Sequence, residues 1–174
     1  MKGDVRSNKG FTLSETLITL LLMSIILTAV VTGISAASRA YRSIVLKADG
    51  MTLLSTVAVG MEADLSTATN IREVTEDGES RWCFSSGARG YDMYFFNDED
   101  KGQVCVQAPK NVVIPVTTDA AHTDRLKSQI SSDGLVYDTE NGYFEFTIQI
   151  IEKKSDPSDN SNIVAEQRYI IRPY

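Results

Sequence analysis

Histidine occurs once in the 174 residues, at His122, between Ala121 and Thr123, with no recognisable nucleophile motif around it. The chain also lacks a glycine-rich phosphate loop, the Cys/His spacing of a zinc site and a metalloprotease motif. The sequence therefore offers little support for catalysis, and His122 reads as a surface or helix-start residue. We expect a protein that is not an enzyme and needs no cofactor or metal. Basic charge is short as well: 17 Lys and Arg stand against 23 Asp and Glu, a net charge of −6. That balance excludes the basic footprint of a nucleic-acid binder and fits an acidic, soluble exterior.

The most localised absence is charge between Thr16 and Ser38, where 23 residues in a row carry none. As a helix rising about 1.5 Å per residue this run is roughly 35 Å long, enough to cross a hydrocarbon core of about 30 Å. It contains no proline, and Gly33 is its single glycine. One carboxylate, Glu15, stands at its start, where a charge beside a membrane span is costly and usually functional. The flanking basic residues do not orient the span, because Lys2, Arg6 and Lys9 before it are matched by Arg39, Arg42 and Lys47 after it.

Beyond Ser38 the helical period continues with a changed character. Ile44, Ala48, Met51, Leu54, Ala58, Met61 and Leu65 recur every three or four residues and form one stripe, with Arg42, Lys47, Asp49, Glu62 and Asp64 largely on the other side. One helix is expected from Phe11 to about Thr69, weakened by roughly 1 kcal/mol at each of Gly50 and Gly60 and free to bend near Gly50.

After Asn70 the period becomes two. Strands are expected at Ser80–Phe84, at Tyr91–Phe96 and Gln103–Ala108 as a hairpin, at Val112–Val116 as an edge because of Pro115, at Phe144–Ile151, and at Ile163–Arg172 as its partner. Asp119–Ile130 reads as a short, weakly patterned helix. The fold class is α+β: a long N-terminal helix whose amphipathic half packs on an antiparallel sheet.

Gly10-Phe11-Thr12-Leu13-Ser14-Glu15 followed by an unbroken apolar run resembles the class III signal of type IV prepilins and pseudopilins. The resemblance covers residues 9 to 38. It implies a leader at 1–10, cleavage by prepilin peptidase between Gly10 and Phe11, and methylation of the new Phe11 amine. It implies a transmembrane and filament-core helix at 11–38, an amphipathic helix at 39–69 and a sheet domain at 70–174. Glu15 matches the family's acidic residue, the fifth of the mature chain, which pairs with the Phe11 amine of a neighbouring subunit. The implied partners are other pilins or pseudopilins, prepilin peptidase and the membrane assembly machinery. The implied place is the cytoplasmic membrane with the C-terminal domain outside, and then an extracellular or periplasmic filament. Major pilins often carry a Gly and a Pro midway along the apolar segment. Here Ser24 and Thr28 stand there instead, which favours a minor pilin or pseudopilin of a type IV pilus, type II secretion or competence filament over the major subunit.

A rival reading is an ordinary secretory signal ending at Ser35-Ala36-Ala37, or an uncleaved anchor. The apolar run exceeds the usual signal core of about 7–15 residues, and Glu15 is oddly placed for either. Cys83 and Cys105 each fall in a strand candidate. An exported domain permits a disulfide between them, worth on the order of 3 kcal/mol, and two buried thiols are the alternative. Two acidic clusters, Asn97 to Asp100 and Asp156, Asp159, Asn160 and Asn162, lack the spacing of an EF-hand and read as solvated turns.

Overall fold

The computed structural model describes residues 12–76, 79–117, 125–153 and 162–174. One helix, α1 (Leu13–Leu65), precedes nine strands among the described residues. These are β1 (Ala68–Glu76), β2 (Glu79–Ser86), β3 (Tyr91–Asp98), β4 (Gln103–Ala108), β5 (Val112–Pro115), β6 (Leu126–Ile130), β7 (Val136–Asp138), β8 (Tyr143–Glu152) and β9 (Ile163–Ile171). By internal contacts the chain divides into residues 1–44 and 45–174, with the boundary inside α1.

In the first unit every side chain from Thr12 to Ser38 is exposed. Residues 45–174 hold the core. Along α1, Gly50, Leu53, Leu54, Val57, Ala58, Met61, Asp64 and Leu65 are buried, a three-and-four spacing that turns one face inward. Leu53, Leu54, Val57, Ala58, Met61 and Leu65 join one cluster with Phe84, Met93, Phe95, Val104 and Val106 from the first strands and Phe144, Phe146, Ile148 and Ile150 from β8.

The strands are antiparallel and form two sheets. The first has the order β1-β2-β3-β4-β5, a meander in which each strand pairs with its successor. In the second, β9 pairs along β8 from Phe144 to Ile151. The other edge of β8 is shared, with β6 opposite Ile148–Glu152 and β7 opposite Tyr143–Glu145. Asn97 links the sheets: its side-chain amide donates to the Ile130 carbonyl (2.8 Å) and accepts from the Ile130 N–H (2.7 Å). The Ser128 N–H donates to the Gly102 carbonyl at 3.1 Å, and the Val104 N–H to Ser128 Oγ at 3.3 Å.

The edge position of β5, the β3–β4 hairpin and the buried face of β8 match the sequence expectation. Elsewhere the structure differs. The helix stops at Leu65 and β1 begins at Ala68, with Asn70 in the left-handed region (φ 53°) at a register shift between Thr69 and Arg72. That irregularity broke the alternation a strand would have shown. Leu126–Ile130 is strand β6, not part of a helix: Leu126, Ser128 and Ile130 are buried in alternation, and a small hydroxyl in the middle hid the period. Residues 119–124 of that segment, with His122, lie outside the described residues. The stripe on α1 is right only from Leu54 onward, because Ile44, Ala48 and Met51 are exposed while Leu53 and Val57 are buried.

The helix runs through Gly50 and Gly60 unbroken; Gly50 closely approaches Val164 in β9, and Gly60 closely approaches Val116, just after β5. A Cβ on Gly60 would stand 2.7 Å from Val116 Cγ1 and 3.2 Å from the Val116 carbonyl oxygen. Helix propensity favours Ala by about 1 kcal/mol, but overpacking against a stiff β-branched side chain and a backbone oxygen costs about 1–3 kcal/mol. Gly60→Ala should therefore fail to stabilise, with a net loss of about 1 kcal/mol in denaturant unfolding. A gain of 1 kcal/mol would show that the contact relaxes freely.

Candidate assembly site at the helix start

Thr12 is the N-cap of α1: its carbonyl accepts from the Thr16 N–H at 3.2 Å, closing the first helical turn. Its Oγ1 accepts from the Glu15 N–H (3.3 Å), while Glu15 Oε2 accepts from both the Thr12 N–H (3.0 Å) and the Thr12 hydroxyl (2.9 Å). This reciprocal pair is a capping box, Thr-x-x-Glu, and it holds the Glu15 carboxylate against the helix start. The carboxylate is exposed.

From Thr16 on, every residue to Ser38 is uncharged and exposed. Six of the seven hydroxyls in this stretch bond back to the helix. Thr16 donates to the Leu13 carbonyl at 2.8 Å, Thr19 to Thr16 at 2.9 Å, and Ser24 to Leu21 at 2.7 Å. Thr28 donates to Ser24 at 2.8 Å, Thr32 to Ala29 at 2.9 Å, and Ser35 to Val31 at 2.8 Å. Each of these polar hydrogens is spent within one turn, which makes these side chains tolerable where no water is present. The helix is long and apolar enough to cross a membrane. From Leu13 to Ser38 its surface therefore offers one charged group, Glu15, at the head of an otherwise uncharged cylinder.

Residues 5–31 match the family model of the prokaryotic N-terminal methylation motif. The chain carries the class III signal of type IV pilins and pseudopilins. No curated protein and no solved structure matches the chain. The motif supports a type IV pilin-like subunit, and together with the apolar helix it supports a membrane-anchored, single-pass protein. It implies peptidase processing and assembly with other pilins.

Of the residues expected to act in this pilin-type signal, Glu15 is in place at the helix start, whereas Gly10 and Phe11 lie outside the described residues. The sequence reading missed Thr12, although Thr12-x-x-Glu15 before an apolar run is itself a capping signature. The expected Cys83–Cys105 bridge is not formed. Cys83 lies in β2 and Cys105 in β4, with β3 between them, and Cys105 is opposite Phe96 while the β2–β3 register places Phe84 opposite Met93. Two strand spacings of about 4.8 Å plus a two-residue offset put the Cα atoms roughly 11 Å apart, beyond the limit of about 7 Å. Burial and the neighbouring Asp98 carboxylate also push the Cys105 thiol up to about 11, which disfavours its reactive thiolate at neutral pH.

The first acidic cluster is taken up by the fold. Asn97 is committed to Ile130, and Asp98 accepts from the Lys101 N–H at 3.1 Å in the β3–β4 turn. Among the described residues no group of three or more His, Cys, Asp or Glu is placed to hold a metal. Asp156, Asp159 and Asn160 of the second cluster lie outside the described residues.

Proposed function

We propose that this chain is a minor pilin or pseudopilin of a type IV pilus, type II secretion or competence filament. The observation that carries this reading is Glu15, fixed by its capping box at the start of an exposed apolar helix within a matched methylation motif. Prepilin peptidase cuts between Gly10 and Phe11, the new Phe11 amine is methylated, and the sheet domain lies outside the cytoplasmic membrane. In the membrane the apolar helix is solvated by lipid; in the filament it is solvated by the helices of other subunits. Glu15 pairs with the Phe11 amine of a neighbour, and an unpaired carboxylate in that apolar bundle would penalise the wrong axial register. The absence of a mid-segment Gly and Pro favours a minor subunit.

Mass spectrometry of the mature protein tests the processing step. The expected N-terminus is Phe11 carrying one added methyl group. A chain beginning at Ser38 would assign the segment to an ordinary signal peptide, and an intact Met1 would make it a plain anchor.

A further inference from the structure

The two sheets part at the end formed by the β6–β7 connection. There a cleft of about 760 Å³ opens, lined by Glu73, Trp82, Phe96, Glu99 and Asp133 among others. Its size falls within the range of ligand sites, roughly 300–1,000 Å³. The β6–β7 connection turns tightly, with the Gly134 N–H donating to the Ser131 carbonyl at 2.8 Å and Gly134 at φ 72°, and nothing stands within 4 Å of a Cβ placed there. Trp82 leans edge-on against Tyr137, ring centroids 5.7 Å apart, and remains half-buried.

The lining is electrostatically one-sided. Three carboxylates, Glu73, Glu99 and Asp133, face one cation, Arg81. Arg81 is engaged by Tyr94, lying 5.2 Å from the ring centroid and donating to the phenol oxygen at 3.2 Å. Glu73 accepts from the Ser80 hydroxyl. Among the described residues neither Glu99 nor Asp133 is in an ion pair. An aromatic ring beside unneutralised carboxylates in a concave site is the surrounding that an ammonium or guanidinium group prefers.

We propose that this cleft is a docking site for a lysine- or arginine-bearing segment of a partner protein. Its cationic side chain lies against Trp82 and is neutralised by Glu99 and Asp133. An anionic partner is disfavoured by the same three carboxylates. The site belongs wholly to residues 45–174 and does not depend on the filament reading.

Trp82 is the chain's single tryptophan, so its fluorescence reports on the cleft directly. The full-length protein in neutral detergent should give a saturable change in emission on titration with pentalysine. A Glu99→Gln/Asp133→Asn double variant should weaken that binding by roughly tenfold. A charge-matched control, Asp49→Asn/Glu140→Gln, alters exposed carboxylates elsewhere and should stay within about twofold of the parent. All four positions are exposed, so the variants should keep the parent's melting temperature. An unsaturable or absent response overturns the proposal. So does equal weakening in both double variants, which would mean diffuse attraction to an acidic chain, or an equal response to a neutral maltooligosaccharide, which would make the cleft a glycan site.

Discussion

Glu15→Val and Glu15→Gln are both expected to drop out of the filament, while Thr12→Val is retained. The three variants separate the capping role seen for this carboxylate from the intersubunit pairing proposed for it. As the N3 residue of the capping box, Glu15 accepts from the Thr12 N–H and hydroxyl, a contribution on the order of 1 kcal/mol to the helix start. Gln serves that role nearly as well, because its side-chain carbonyl accepts the same bonds. As a charge it is proposed to meet a neighbour's amine in an apolar bundle, where leaving one partner unpaired costs about 3–5 kcal/mol. Such a loss lowers incorporation by two orders of magnitude or more, whereas loss of the cap alone costs roughly fivefold. Co-purification of each variant with sheared filaments, with its mature N-terminus checked, measures both. Normal incorporation of Glu15→Gln would overturn the pairing and leave the cap as the residue's function.

Removal of the Asp64 carboxylate should cost the sheet domain about 3–5 kcal/mol, a large share of the roughly 5–15 kcal/mol that holds a domain together. Asp64 sits on the buried face of α1 with its side chain 3% exposed. Its Oδ1 accepts from the Ser86 hydroxyl at 2.8 Å, and both oxygens accept from Arg89 Nε at 2.9 Å. The Arg89 guanidinium, whose pKa is raised by its hydrogen bond to Asp64, and the Arg89 N–H, which donates to Ser86 Oγ at 3.2 Å, complete the knot where the helix meets the β2–β3 turn. Asp64→Ala leaves a partly buried cation and a buried hydroxyl without their acceptor. In thermal unfolding followed by Trp82 fluorescence the expected fall in Tm is on the order of 15 °C. Asp64→Asn keeps one acceptor and should fall between the parent and Ala. A Tm within about 3 °C of the parent for Asp64→Ala would mean that water replaces the carboxylate at little cost.

The legible features in this chain were those set by local periodicity. Phe144, Phe146, Ile148 and Ile150 alternate with polar residues, so one face of β8 had to be buried whatever it met. Leu54, Ala58, Met61 and Leu65 likewise announced the inward face of the helix. Pattern failed where a partner across space overrides it. Asp64, assigned to the solvent side by its charge, is buried because Arg89 and Ser86 reach it. Asn97, read with its acidic neighbours as part of a solvated turn, spends its amide on the Ile130 backbone. Cys83 and Cys105 lie in strands that are near in sequence order but separated by β3, and no spacing rule reveals which strand lies between.

The long apolar helix, its Gly10-to-Glu15 signal and the α+β order of elements follow from composition and short-range period, which act without reference to the rest of the chain. The division of the strands into two sheets, the sharing of one β8 edge by β6 and β7, and the cleft near Trp82 emerge when the chain packs in three dimensions. Strand pairing and the space it leaves depend on contacts between residues distant in the chain, and a local pattern carries no information about which distant edge a strand will meet.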